Sequence, residues 1–345
     1  MRFLFITNTS RTDRPYLDPA VRYRCYNVAS DLENLGHFAD VLPLSGLRME
    51  MINNYDVIIF HKPPYNNTVE AAVDLARKRG VRVIADYDDL IFDEKNAFYS
   101  SLYLTGRASK KIVLDIFRRN HTALQMFDEV IASTVPLADE IKTSNSRAEV
   151  YVVHNGLNET WIQSSFKKYS NPSIPGQISY FCGTKSHDHD FELIEDVLSD
   201  FLIENKKATL NIVGPLTFRE EIFPKGQIRK TRAVAYEELP RLIMQSWINI
   251  APLADNLFNR CKSGLKYFEA AAFGVPTIAS PFPDMVRFSD SGIRLAANRD
   301  EWKDSLGALF EEGDRRLIEL NEMEYVKKNC MSLTQSKRFL EIISR

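Results

Sequence analysis

The feature that most constrains this chain is a repeated alternation of short β-branched or aromatic runs with longer amphipathic stretches. In the first half the runs lie at 3–7, 38–43, 56–61, 81–86, 129–133 and 150–154, with helical periodicity near 19–35, 67–80, 105–126 and 135–143. In the second half they lie at 178–182, 208–213, 248–253, 275–280 and 292–296, with helices expected near 188–204, 236–246, 262–273, 299–312 and 314–329. Strands that are apolar almost throughout are buried on both faces, and helices between them make their neighbours parallel. The expected fold class is therefore α/β, with two doubly wound, Rossmann-like domains. A chain of 345 residues has the length for two.

The stretch 157–177 is polar, carries Pro172, Pro175 and Gly176, and shows neither period, so it is expected to join the domains. The expected boundaries are 1–160 and 161–329, with a terminal helix or tail at 330–345. Ligands of such folds bind at the carboxyl ends of the strands, and two domains together make an interdomain cleft. Periodicity alone leaves a transferase, an epimerase and a two-domain binding protein open.

Charge narrows the partners. Lys plus Arg is 44 and Asp plus Glu is 46, a formal net charge of -2, unlike a protein that coats nucleic acid. Cys25, Cys182, Cys261 and Cys330 are widely spaced with no CxxC pair, which is expected of reduced thiols in a cytoplasmic protein. Residues 1–7 are too short for the apolar core of a signal peptide, and no apolar run approaches the ~20 residues that span a bilayer.

The most informative segment is INIAPLADNLFNRCKSGLKYFEAAAFGVPTIAS, 248–280. A strand is expected to end at Pro252 or Leu253, and a helix to open near 262 with Lys262, Ser263 and Gly264 in its first turn. Free N–H groups and the helix dipole would make that turn an anion site, to which Lys262 or Lys266 adds charge. Glu269 lies deeper on the same helix, where a carboxylate can accept from a pair of sugar hydroxyls. A helix–strand unit with incidental lysines fits these residues as well.

Taken whole, the segment resembles the donor-site signature of the group 1 glycosyltransferases, also called family 4, which have the GT-B fold. Glu269 matches the second carboxylate of the family's Glu-x7-Glu element, Gly264 the second glycine of its E-G-F-G, and Gly274 to Ser280 its G-x-P-x-x-x-S strand. The first Glu falls at Cys261, a departure that puts that residue's hold on the sugar in question. The wording from Asn256 to Lys266, including Asn259, Ser263 and Leu265, is similar to a branch with Lys-Ser after that position. HNGLN at 154–158 looks like the family's crossover, with Asn158 where Asp is usual. FCGTKSHDHDF at 181–191 looks like the first strand and loop of its C-terminal domain. By that resemblance Gly183 and Thr184 approach the diphosphate, Lys185 supplies charge, and Tyr236 and Leu239 lie beside the base.

In the first half, ADYDDLIFD at 85–93 looks like the family's strand ending in His-Asp, with Asp88 at the His and Asp89 at the Asp. An acidic group there can orient the acceptor hydroxyl or take its proton; a solvated loop with capping aspartates fits equally. His61 and Lys62 end the run DVIIFH and point toward the same edge. PAVRYRCYNVASDLENLGH at 19–37 resembles the family's first helix, and Arg22 and Arg24 suit an anionic acceptor as well as an ordinary surface. His187 and His189 with Asp188 and Asp190 lack a second ligand cluster, so no metal is expected. The stretch 106–127 is a basic amphipathic helix that fits either an anionic membrane surface or a solvated face on a core helix.

The resemblance implies a retaining, metal-independent glycosyltransferase. It would move a sugar from a nucleotide-diphosphate-sugar donor to a hydroxyl of a glycan or lipid-linked acceptor, in bacterial cell-surface polysaccharide assembly. The nucleotide sugar is a substrate, and no separate cofactor is expected. The implied catalytic residues are Asp88, Glu269 and His61, and Asp89 joins the two arginines on the acceptor side. The rival readings are a noncatalytic glycosyltransferase-like binding subunit, which the missing first Glu favours, and a sugar-nucleotide epimerase of the same fold.

Overall fold

The computed structural model describes residues 1–169, 173–311 and 315–345. Positions 170–172 of the expected join, and 312 and 314 at two expected helix ends, lie outside the described residues. The chain divides into two compact units: Met1–Asn158 with Cys261–Ser263 and Met331–Arg345, and Glu159–Arg260 with Gly264–Cys330.

The first unit is built on six parallel strands, β1 (Arg2–Thr7), β2 (Phe38–Pro43), β3 (Val57–His61), β4 (Arg82–Tyr87), β5 (Glu129–Ala132) and β6 (Glu149–Val152), in the order β2-β1-β3-β4-β5-β6. Phe3 to Ile6 and Val57 to Phe60 are buried on both faces, as an apolar strand in a covered parallel sheet must be. The closing helix Ser332–Ile343 joins one face: Phe339 packs on Phe3 and Phe5, with Ile342 and Ile343 in the same core as Ile59 and Ile84.

The second unit carries β7 (Gln177–Phe181), β8 (Thr209–Val213), β9 (Ile228–Thr231), β10 (Ile248–Ala251), β11 (Thr277–Ala279) and β12 (Arg294–Leu295), in the order β12-β11-β10-β7-β8-β9 and again all parallel. Its core gathers Ile178, Tyr180, Leu210, Ile212 and Ile250 from the strands with Phe191, Leu198, Phe201 and Trp302 from the helices. At the end of β8, Gly214 has φ +114°, and a Cβ there would meet the Cys182 carbonyl. Only glycine fits that close approach.

Several local expectations differ from the structure. The stretch expected to be a structureless join contains the helix Glu159–Lys168. Its anchors are aromatic and distant in sequence: Trp161 stacks on Tyr236 at 4.5 Å, and both Trp161 and Phe166 meet Phe273 at 5.3 Å. The helix expected from 105 begins at Lys110, because Gly106, at φ +68°, closes the separate turn of helix Ser101–Leu104. The edge strand β9 was not anticipated: Arg229 and Lys230 are exposed, the polar pattern that guards a sheet edge and hides a strand from hydropathy.

Strand order locates the places where a ligand can enter. It reverses between β1 and β3 in the first sheet and between β7 and β10 in the second. At such switch points the loops leaving the carboxyl ends diverge and open a crevice.

Candidate active site

The first switch point gathers chemistry. Thr7, His61 and Asp86 stand in one register row across β1, β3 and β4. Thr7 Oγ1 lies 2.9 Å from His61 Nδ1, with both side chains buried. His61 Nε2 is 3.5 Å from Asp88 Oδ1, too long for a good hydrogen bond, and has no hydrogen-bond partner among the described residues. The imidazole is thus held at one nitrogen and available at the other.

Just past β3, Lys62 adopts φ 51°, the left-handed region that a side chain rarely enters. Its N–H donates to the Asp86 carbonyl at 2.9 Å. Its ammonium lies 2.6 Å from Asp88 and 3.1 Å from Asp89. Burial disfavours both charges of the Lys62–Asp88 pair, but the mutual attraction overrides it. The Asp88 carboxyl is held far below the ordinary range by Lys62 and His61, and Lys62 is raised above its own by Asp88 and Asp89. Asp88 is therefore an anion at neutral pH and a weak proton acceptor. It is suited to accept a hydrogen bond or stabilise positive charge. Strain of ~1–3 kcal/mol at a non-glycine left-handed residue is typical of functional sites.

Arg24, expected on the acceptor side, is turned inward. Its guanidinium is 3% exposed, makes a two-pronged pair with Asp86 at 2.8 and 2.9 Å, and donates to the Val153 carbonyl and to Asn155. The π-helical turn Arg22–Tyr26 carries it. Arg24 thus braces the HNGLN segment against β4. Arg22 on the same turn and Asp89 after β4 are partly buried.

At the second switch point, the loops after β7 and β10 are tied together by Asp190. Its buried carboxylate accepts from Ala254 N at 2.9 Å and from Asn259 Nδ2 at 3.3 Å, and lies 2.8 Å from His187 Nδ1. Burial raises its pKa, but His187 and the Ala254 N–H more than offset that, leaving it lowered. Asn259 also donates to the Ala254 carbonyl. It shapes the loop from within. Gly183 and Lys185 are exposed, and Thr184 Oγ1 is 2.5 Å from Ser186 Oγ. Tyr236 and Leu239 are partly buried, with the Tyr236 ring against Trp161.

The expected helix start near 262 is displaced. β10 ends at Ala251, a short turn Leu257–Arg260 follows, and the helix runs Leu265–Ala271 with Gly264 at its N-cap. Lys262 and Ser263 precede it and are grouped, with Cys261, in the first unit. The Gly264 N–H is not free for an anion, because it donates to Asp284 Oδ2 at 2.7 Å. A Cβ at Gly264 would lie 2.6 Å from the Phe288 ring, so packing demands this glycine. Lys266 holds its ammonium 4.9 Å from the centre of the Tyr180 ring, a cation–π distance. Glu269 is partly buried on the same helix.

Cys261 cannot substitute chemically for a carboxylate. It is fully buried, and burial, with Glu140 and Asp89 adding to it, pushes its thiol up to about 12. Its carbonyl accepts from Thr134 Oγ1 at 2.8 Å. Among the described residues, no group of three or more His, Cys, Asp or Glu is arranged to hold a metal ion, and no helix is long and apolar enough to cross a membrane.

Sequence reasoning missed Thr7, Trp161, Asp190 as a brace, and the role of Lys62. Only the β1–β3 register shows that Thr7 faces His61. The positive φ of Lys62 leaves no mark in a hydropathy pattern.

Two six-stranded parallel sheets, each with its own switch point, are the arrangement of the GT-B fold. Solved structures with this fold match the chain end to end. The Anabaena protein HepE in complex with UDP and glucose is 13% identical, covers 100% of this chain and 99% of its own, and superposes with TM-score 0.64. Sucrose-phosphate synthase from Thermosynechococcus elongatus is 12% identical, with coverage of 100% and 98% and TM-score 0.66. The UDP-forming α,α-trehalose-phosphate synthase from Burkholderia xenovorans, in complex with glucose-6-phosphate, is 12% identical, with coverage of 100% of both chains and TM-score 0.64. No family model and no curated protein sequence matches the chain.

Proposed function

We propose that this protein is a group 1 (family 4) glycosyltransferase that moves a sugar from a nucleoside-diphosphate sugar to a hydroxyl of a glycan or lipid-linked acceptor. The observation that carries the reading is the end-to-end match of both units to a structure holding UDP and glucose. The residue roles rest on the resemblance of the motifs. Glu269 holds the ribose. Lys185, Lys262 and Lys266 balance the diphosphate, with Gly183, Thr184, Ser263 and Leu265 lining its path and Tyr236 and Leu239 beside the base.

In the reaction, the bond from the anomeric carbon to the donor phosphate breaks and a bond to the acceptor oxygen forms on the same face. The acceptor proton passes to the departing phosphate. Asp88, held as an anion by Lys62, stabilises the positive charge that develops on the sugar, and His61 Nε2 bonds a sugar hydroxyl. Fixed charges and dipoles of this kind need no reorganisation as the charge develops. No metal is required where lysines offset the leaving diphosphate. Arg22 and Asp89 face the acceptor, and Arg24 acts through Asp86 to hold the site. A role in bacterial cell-surface polysaccharide assembly rests on the resemblance alone.

A second reading is favoured by Cys261. A buried, protonated thiol where the family has a carboxylate suits a subunit that binds a nucleotide or glycan without turnover. The test is a thermal-shift panel with UDP, GDP, dTDP, ADP and CMP, with and without EDTA. A ligand that binds only the native state raises Tm by mass action, by ~2.7 kcal/mol of stability at a hundred times Kd. A shift with one nucleoside diphosphate, indifferent to EDTA and lost in Glu269→Ala, supports a donor site. Hydrolysis of the matching nucleotide sugar then separates the enzyme from the binding subunit. No shift with any nucleotide overturns the transferase.

A further inference from the structure

Beside the first switch point, a cavity of about 320 Å³ opens on the loops that leave β1, β2 and β3. Asn8, Thr9 and Thr12 line it after β1, Ser45 after β2, and Asn66 and Thr68 at the start of the helix Asn67–Lys78 after β3. Leu44 adds an apolar side chain, and Thr7 completes the lining. Thr7 is the residue whose Oγ1 lies 2.9 Å from His61 Nδ1, so a ligand in the cavity is one side chain away from the imidazole. The volume falls at the lower end of the ~300–1,000 Å³ of small-molecule pockets, which is room for a sugar ring.

The lining suits a neutral, hydroxylated group and not an anion. Among the described residues, none of the side chains that line it is charged. Hydroxyls and amides both donate and accept, as sugar hydroxyls do. Groups that could meet an anion here have other partners. Arg11 donates to the Leu17 carbonyl at 2.7 Å, the Asn8 N–H to the His61 carbonyl at 3.2 Å, and the Arg11 N–H to Thr9 Oγ1 at 3.2 Å. Asn66 caps its own helix by accepting from the Val69 N–H at 2.9 Å. Two carboxylates stand close by: Asp18 accepts from Thr9 Oγ1 at 2.7 Å, and Glu70 is in the first turn of the helix. Arg22 and Arg24, which by sequence suit an anionic acceptor, do not line the cavity, and Arg24 is spent on Asp86. Nor do Arg14 and Arg48 in the flanking loops.

We infer that this cavity seats the acceptor, and that the accepting group is a neutral sugar ring with no phosphate or carboxylate of its own. The inference rests on the transferase reading and narrows its acceptor to one chemical class. A phosphate placed among these side chains would exchange its hydration for hydroxyls and amides, with no cation in the lining to offset its charge. A sugar ring keeps its hydrogen bonds there and lays its apolar face on Leu44.

The test reads sugar binding directly, by saturation-transfer NMR on the full chain, with and without the nucleoside diphosphate that raises its Tm. The probes are the methyl glycosides of glucose, galactose, mannose and N-acetylglucosamine, the 6-phosphates and uronic acids of the same sugars, and neutral methyl disaccharides. The expected result is binding of a neutral glycoside, with its 6-phosphate and uronic acid weaker by ~10-fold or more. Ser45→Ala/Thr68→Ala should weaken the neutral sugar ~10-fold. Its nucleotide-induced Tm shift should persist, which reports that the variant folds and keeps the donor site. Ser45→Lys should raise binding of the 6-phosphate. A disaccharide that binds more tightly than the monosaccharide identifies the end of a glycan as the acceptor, and the reverse a free sugar. Charged sugars that bind as tightly as neutral ones, neutral binding indifferent to the double alanine variant, or a nucleotide shift with no sugar bound overturn the inference and leave the transferase standing. Neutral-sugar binding that this variant weakens, with no nucleotide shift, supports the cavity as a sugar site and overturns the transferase instead.

Discussion

The Lys62 ammonium sits 2.6 Å from the Asp88 carboxylate, on a backbone whose φ of 51° aims it there. Both groups are largely buried, so each depends on the other for its charge. In Lys62→Met, Asp88 loses its main counter-charge, and stability should fall by ~3 kcal/mol, as for other broken buried pairs, measured by urea unfolding at neutral pH.

The same pair sets a pH window. The Asp88 pKa is depressed in the folded state despite burial, so its contribution is present above the unfolded value of ~3.9 and is lost as pH falls toward the folded one. The Lys62 pKa is raised, so its contribution is present below ~10.4 and is lost as pH rises through the folded value. Acid unfolding of Lys62→Met should therefore show a shallower loss of stability than the parent. Equal slopes would mean that Asp88 is held by other groups.

Arg24 and Asp86 form the more deeply buried pair. Arg24→Met or Asp86→Asn alone should each cost ~3–5 kcal/mol, because a buried partner is left uncompensated, whereas the double variant should cost less than the sum. A double-mutant cycle in urea reads the coupling. Additive losses would refute the pairing.

Gly264 is required for space and not for its φ of -73°. Gly264→Ala should destabilise the second unit by ~1–3 kcal/mol through overpacking against Phe288. Trimming the neighbour in Phe288→Leu should recover part of that loss. If it does not, the cost comes instead from disturbing the Gly264–Asp284 hydrogen bond.

Asp190 ties two loops at the second switch point. Asp190→Asn should lower stability by ~1–3 kcal/mol by weakening charge-assisted bonds to a buried group. It should also reduce the nucleotide-induced Tm shift by more than the stability loss explains, since the loops would no longer be held together. An unaltered shift would separate the brace from ligand binding.

The four cysteines should resist thiol reagents in the native protein. All are buried, and burial pushes Cys182 up to about 11 and Cys261 and Cys330 up to about 12. Thiolate is the reactive form, so reaction with a disulfide reagent should await unfolding. A rapid first equivalent would show a cysteine that opens to solvent.

The strand-and-helix grammar was legible because a parallel strand buried on both faces has few polar positions. Phe3 to Ile6 and Val57 to Phe60 are runs of that kind, and the first ends at Thr7, the second at His61. The amphipathic stretch at 67–80 likewise became the helix Asn67–Lys78, capped by Asn66. The helix Glu159–Lys168 was not legible, because Tyr236 and Phe273, which hold it, are more than seventy residues away. Nor was β9, whose exposed edge is polar. Lys185, Tyr236 and Glu269 could be singled out from motif spacing, but spacing cannot show that the Gly264 N–H is already bonded to Asp284.

By itself, the sequence determined the class of fold and the ends of strands where chemistry collects, because burial on two faces and helical periodicity are written in consecutive residues. The tertiary structure decided which groups there are available and which are consumed. Arg24 is spent on Asp86, His61 keeps one nitrogen open, and Asp88 stays charged through Lys62. Those outcomes depend on strand register and on one left-handed residue, which bring together side chains that no local pattern connects.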